Sequence, residues 1–153
     1  MVKVMATGVF DLLHMGHIHY LQEARKLGDH LVVVVARDAT ARKLKHEPIT
    51  KEDVRREMVS ALKPVDEAIL GREGNIYDIL TDVRPDVIAL GYDQQHNEQV
   101  IKEEARKRGI GVQVVRLSKH ETDLDGTRKI IRKAVDWWVF QQRLKEIEGE
   151  GAS

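Results

Sequence analysis

The chain has 153 residues, 25 basic and 25 acidic, and no cysteine. That length suits one domain around one core, and the balanced charge lacks the basic excess of a nucleic-acid binder. The missing cysteines exclude disulfides, thiolate nucleophiles and cysteine-ligated metals, and fit a reducing interior. The longest continuous apolar run, Leu31 to Ala36, is too short for a bilayer, and no signal peptide precedes the first strand-like stretch. The expectation is a cytoplasmic protein that handles small molecules, with no nucleic acid and no membrane among its partners.

In chain order, Val2 to Thr7 reads as a strand and Gly16 to Leu27 as a helix, with Gly28 placed as its C-cap. His30 to Ala36 is a near-continuous β-branched run, as in a strand buried on both faces. Arg37 to Pro48 is polar and basic and shows at most a helical turn. Thr50, with Asp53 three residues on, reads as an N-cap opening a helix that runs to Leu62 and is stopped by Pro64. A short strand over Val65 to Leu70, a helix over Ile76 to Val83 and a strand over Asp86 to Leu90 follow. Glu98 to Arg108 is a helix with Gly109 behind it, and Gly111 to Leu117 is the fifth strand. The remainder is helical from Thr127 to about Glu148, with fraying from Gly149 to Ser153. This alternation predicts an α/β fold, a doubly wound five-stranded parallel sheet with a C-terminal helical extension. Residues 1–133 would form the domain, and 134–153 its terminal helix and tail.

Ligands of such sheets bind outside the carboxyl ends of the strands, at the switch point. The chemically suggestive residues fall there: Gly8 to His17, Arg37 and Asp38, Gly91 to Asp93, and Arg116. His14 and His17 flank Gly16 where the first helix begins. A helix N-terminus attracts phosphate, and two imidazoles add donors for charge developing on its oxygens. Gly16 lets a nucleotide lie against the backbone. The alternatives for the pair are ordinary helix-start histidines, or a zinc site that lacks a nearby third ligand. Asp11 and Asp38 would repel a triphosphate unless a cation lay between, which implies Mg²⁺; otherwise they are a turn-former and a solvated charge.

The run Gly8-Val9-Phe10-Asp11-Leu12-Leu13-His14-Met15-Gly16-His17, with Ala24 to Val33 and Val65-Asp66-Glu67, resembles the nucleotidyltransferases marked by His-x-Gly-His, and among them the cytidylyltransferase-like branch. The resemblance spans roughly residues 2–133. It implies a Rossmann-like fold and in-line attack by an acceptor phosphate on the α-phosphorus of a nucleoside triphosphate, with magnesium assisting and pyrophosphate leaving. It implies nucleotide contacts from Val9, Phe10, His14, Met15, Gly16, His17, Asp93, Arg116 and Thr127. Catalytic roles fall to His14, His17 and Lys43, and metal-binding roles to Asp11 and Asp38. Lys43 and Lys45 match lysines that hold the acceptor phosphate. Arg55 matches a family arginine, though it stands on a helix where it could simply pair with Asp66. Asp93 would bond the ribose, and Thr127 would N-cap the last helix and face the outer phosphates. Gly126 and Arg128 stand where the family more often has serine or threonine.

Within this branch, Gly91-Tyr92-Asp93-Gln94, His96, Glu98, the Glu103 to Lys107 helix and the Leu124 to Ile131 segment look most like a short archaeal subgroup that joins ATP to FMN to make FAD. CTP-dependent transfer to glycerol phosphate or a similar phosphorylated alcohol is the alternative, and a nucleotide-binding module without turnover is another. The apolar residues Val135, Trp137, Trp138, Val139 and Phe140 spread around more than one face of the last helix; one face can pack on the sheet, and a homodimer contact would cover the other. Stacking of one of these aromatics on a substrate ring is the second reading.

Overall fold

The computed structural model describes residues 1–119 and 126–151. Leu124 and Asp125, which the resemblance drew on, and the last two residues lie outside the described part. Five strands, β1 (Lys3–Gly8), β2 (His30–Val35), β3 (Glu67–Leu70), β4 (Val87–Leu90) and β5 (Gln113–Arg116), form one sheet in the order β3-β2-β1-β4-β5. All neighbours are parallel. The chain winds outward from β1 to β3, then returns to place β4 on β1's other side, so the switch point lies between β1 and β4.

The helices are α1 (Met15–Arg25), α2 (Asp38–Leu44), α3 (Glu52–Ser60), α4 (Ile79–Val83), α5 (Glu98–Lys107) and α6 (Thr127–Gly151), with a 3-10 turn over Ile76–Asp78. Side chains alternate across a strand, so the valine run of β2 feeds two cores. Leu31, Val33 and Val35 join Val4, Ala6, Leu21, Ala24 and Val59 on one face. Val32 and Val34 join Met5, Leu80, Ile88, Ile101 and Ala105 on the other.

The structure departs from the sequence reading in several places. Arg37 to Pro48 holds a two-turn helix, α2. The expected Thr50 cap is absent: α3 is capped at Lys51 without a side-chain bond, because the Thr50 hydroxyl is engaged elsewhere. β3 starts at Glu67, since the Val65 and Asp66 N–H groups bond to Leu62 and Leu31 outside the strand ladder. α6 continues through Gly149 to Gly151, where fraying was expected. Gly28 is not the α1 cap, which is Lys26. Its value is space: a Cβ there would stand 2.6 Å from the Val2 carbonyl oxygen and 2.7 Å from the Val4 side chain. Gly28→Ala is expected to cost about 2 kcal/mol by overpacking. An unchanged urea midpoint would show that the start of β1 yields freely.

Candidate active site

The loop from β1 to α1 is held in an unfavourable shape. Phe10 and Leu12 have φ of +55° and +46°, a region L-residues avoid at about 1–3 kcal/mol each. Gly8 permits it, because a Cβ there would meet the Phe10 ring at 2.9 Å. The Phe10 side chain is buried and stands against the rings of His17 and Tyr20, with centroids at 5.3 and 6.4 Å. Val9 is buried as well. The side chains of Val9 and Phe10 therefore belong to the core, and any contact of theirs with a nucleotide is limited to backbone.

Asp11 is buried, and both oxygens of its carboxylate accept hydrogen bonds. One oxygen accepts the Ile49 N–H at 2.8 Å; the other accepts the Thr50 N–H at 3.0 Å and its hydroxyl at 2.8 Å. Burial favours the protonated acid, but these bonds and the Arg55 charge together bring its pKa below the usual carboxylate value. Asp11 thus clamps the segment after α2 to the β1–α1 loop.

His14 is the N-cap of α1 and His17 is its third residue, so both rings stand at the helix mouth. The first helical turn leaves N–H groups without intrahelical acceptors, and Gly16 lies within it. The imidazoles stack at 3.7 Å between centroids and 26° between planes. The His17 Nδ1 accepts the His14 N–H at 3.3 Å, which leaves the proton on Nε2. Burial, then the charges of His14 and Lys45, lower the His17 pKa to about 3. At neutral pH His17 is therefore an uncharged ring with one N–H donor and its acceptor nitrogen turned to the loop.

That depression has a stability consequence. The unfolded ring, with a pKa near 6.5, takes up a proton that the folded ring refuses, so stability falls as pH drops below about 6.5 and continues to fall toward about 3. Between pH 7 and pH 5 the contribution lost is about 2 kcal/mol. His17→Asn should lose less over that interval in paired urea titrations. Parallel pH dependence in the two proteins would contradict the shift.

Arg55, from α3, is the largest fully buried side chain. Its Nη1 donates to the carbonyls of Val9 at 2.7 Å and Ala36 at 2.8 Å, and its Nε to that of Thr50 at 2.9 Å. Its Nη2 meets Asp38 Oδ1 at 2.7 Å. The guanidinium joins the ends of β1 and β2, the segment before α3, and the first turn of α2. The alternative of an Arg55–Asp66 pair is not realised; Asp66 bonds Arg25 at 3.1 Å and the Leu31 N–H at 2.7 Å.

These partners describe how Asp11 and Asp38, the residues expected to bind a metal, stand without one. Both oxygens of Asp11 are occupied by the loop, and Asp38 is the counter-ion of Arg55. The donor set does not fit a preformed Mg²⁺ centre, and among the described residues no three His, Asp or Glu side chains gather for one. Lys43, on α2, and Lys45, at its end, are both exposed, and the Lys45 charge lowers the His17 pKa.

Arg116 and Thr127, both expected to contact the nucleotide, also hold the scaffold. Arg116 donates to Glu98 at 2.7 Å and to the carbonyls of Gly91, Gln94 and His96 at 3.0, 2.8 and 2.8 Å, bracing the loop after β4. Four of its five N–H groups are used there. The Thr127 hydroxyl donates to the Asp11 carbonyl at 2.6 Å, which pins the start of α6 to the β1–α1 loop. Thr127 is the first helical residue rather than the cap: the Gly126 carbonyl takes the Ile130 N–H. Asp93, in the loop after β4, and Met15, the first residue of α1, are exposed.

Residues that sequence reasoning passed over finish the floor. The Tyr20 hydroxyl donates to the Ala89 carbonyl at 2.6 Å and accepts the Thr7 N–H at 3.1 Å, tying β4 to β1; burial keeps its phenol protonated. The Gln94 amide donates to the Thr7 carbonyl at 2.7 Å and accepts the Gly91 N–H at 2.9 Å. Tyr20 stands beside Leu21, which the α1 pattern turns to the core, and Gln94 belongs to the Gly91 to Gln94 run that carried the resemblance, but neither signal assigned these bonds.

Residues 5–148 match the family described as cytidylyltransferase-like. The chain is 64% identical over 137 residues to a FAD synthase of Aciduliprofundum boonei, covering 89% of this chain and 92% of that protein. It is 50% identical over 149 residues to a FAD synthase of Archaeoglobus profundus, covering 97% and 94%. A crystal structure from Thermoplasma volcanium, described as a lipopolysaccharide core biosynthesis protein, superimposes with a TM-score of 0.77 at 55% identity over 79% of this chain and 99% of that one. With the paired imidazoles at the first helix and the family match across nearly the whole chain, this protein belongs to the cytidylyltransferase-like family.

Proposed function

We propose that this chain is an FAD synthase, which transfers the AMP moiety of ATP to FMN. A phosphate oxygen of FMN attacks the α-phosphorus of ATP, the new O–P bond forms in line with the breaking one, and pyrophosphate departs. Such transfers need positioning and charge stabilisation rather than a protein nucleophile. His17, neutral with its donor on Nε2, supplies a hydrogen bond to an α-phosphate oxygen as its charge grows, and His14, stacked against it, shares that face. The first turn of α1 adds backbone donors. Lys45 draws the acceptor phosphate toward the same place. Bound with the triphosphate, magnesium would neutralise charge on the departing pyrophosphate, and the acting form is a homodimer.

The observation that carries this reading is the 64% identity to a FAD synthase across 89% of the chain. The test is pyrophosphate release with Mg²⁺, ATP or CTP, and FMN or glycerol 3-phosphate. Release with ATP and FMN, together with FAD in the product, is the expected result. Release only with CTP and glycerol 3-phosphate, or none with any pair, would overturn it.

A further inference from the structure

α6 is long and uncovered. Its 25 residues extend about 37 Å from the point where Thr127 meets the Asp11 carbonyl. Trp137, Phe140, Leu144 and Ile147 follow one another at spacings of three, four and three, the register of a two-helix seam. All four are exposed, from 38% at Leu144 to 65% at Ile147, while Trp138 and Val135, at 58% and 54%, stand on the opposite side of the helix. The four seam residues leave roughly 500 Å² of apolar surface open along one side of the helix, at the upper end of the largest patch usual for a monomer.

The charges beside the seam specify the occupant. When two copies of α6 lie parallel, Arg143 on one helix faces Glu148 on the other, five positions further along, and the pairing occurs twice by symmetry. Run antiparallel with all four apolar layers matched, the two copies of Arg143 meet each other. Both side chains are exposed, so neither must leave a partner in the core.

We propose that α6 is a self-association helix, which pairs in parallel with α6 of a second copy through Trp137, Phe140, Leu144 and Ile147 and is registered by Arg143–Glu148 pairs. The inference rests on the homodimer reading above and adds its surface and direction. Both active sites then lie at one end of the paired helices, since each α6 is rooted at its own β1–α1 loop.

Sedimentation velocity of the full chain over a hundredfold concentration range tests this. The wild type should approach twice the 17.5 kDa chain mass. Phe140→Glu should weaken association at least tenfold, with the circular dichroism spectrum unchanged. Arg143→Glu and Glu148→Arg should each weaken it about threefold or more, and the double exchange should restore it. Association unaffected by Phe140→Glu would leave a dimer standing but overturn this surface. Failure of the double exchange to restore pairing would overturn the parallel register. A monomeric wild type would overturn both: blue-shifted tryptophan emission would then mean that α6 folds onto its own domain, and exposed emission that its occupant is another protein.

Discussion

His17→Ala should lower turnover about a hundredfold while changing the nucleotide dissociation constant by less than tenfold. The ring offers one neutral donor, from Nε2, and such a donor matters most when charge builds on the α-phosphate oxygen in the transition state. Loss of a single oxyanion-type donor typically costs about 2.7–4 kcal/mol, which sets that magnitude. Two further substitutions separate the donor from the loop contact. Gln places an N–H near the Nε2 position and should recover part of the rate. Asn keeps an acceptor near Nδ1 for the His14 N–H and should preserve stability but not turnover. Single-turnover kinetics read the chemical step, and equilibrium titration with ATP reads binding. Equal losses in both would mean that His17 contributes uniform binding only. Because the ring is neutral well above its depressed pKa, no rate inflection between pH 5.5 and 8 should vanish with His17.

The largest effect on stability is expected at Arg55. Arg55→Met fills similar volume but strips donors from three carbonyls and leaves Asp38 without its counter-ion. Breaking a buried ion pair by removing one partner costs about 3–5 kcal/mol, a large part of a small domain's whole stability. Arg55→Lys keeps the charge but cannot reproduce the fork, and should recover less than half of that loss. Urea titration of the three proteins gives the comparison. A loss under 1 kcal/mol for Arg55→Met would show that water substitutes for the guanidinium. Activity should fall with it, since the same side chain fixes the ends of β1 and β2 and the segment that Asp11 clamps.

The division between what the sequence conveyed and what it did not follows the range of the interactions. The five strands, the helices α1, α5 and α6 and the site's location at the strand ends rest on periodicity and on local terminators such as Gly109, whose φ is +71°. The His-x-Gly-His pair is local too, its members three residues apart. Thr50 was misread because its local cap pattern lost to Asp11, 39 residues away. Arg55 reaches Val9 across 46 residues, and Thr127 reaches Asp11 across 116. Asp11, Asp38, Arg116 and Thr127 all lie near the predicted site. Their side chains, however, position its loops, and residue type alone does not separate that use from direct contact with phosphate. Composition did announce the exposed aromatic helix, since Trp137, Trp138 and Phe140 fall in one short apolar cluster.

The protonation of His17 tests the account at its centre. Long-range ¹H–¹⁵N spectra of the imidazoles at pH 7 should show His17 neutral, with its hydrogen on Nε2, and that nitrogen should shift when a non-hydrolysable ATP analogue binds. A cationic ring, a hydrogen on Nδ1, or a resonance indifferent to the nucleotide would contradict it.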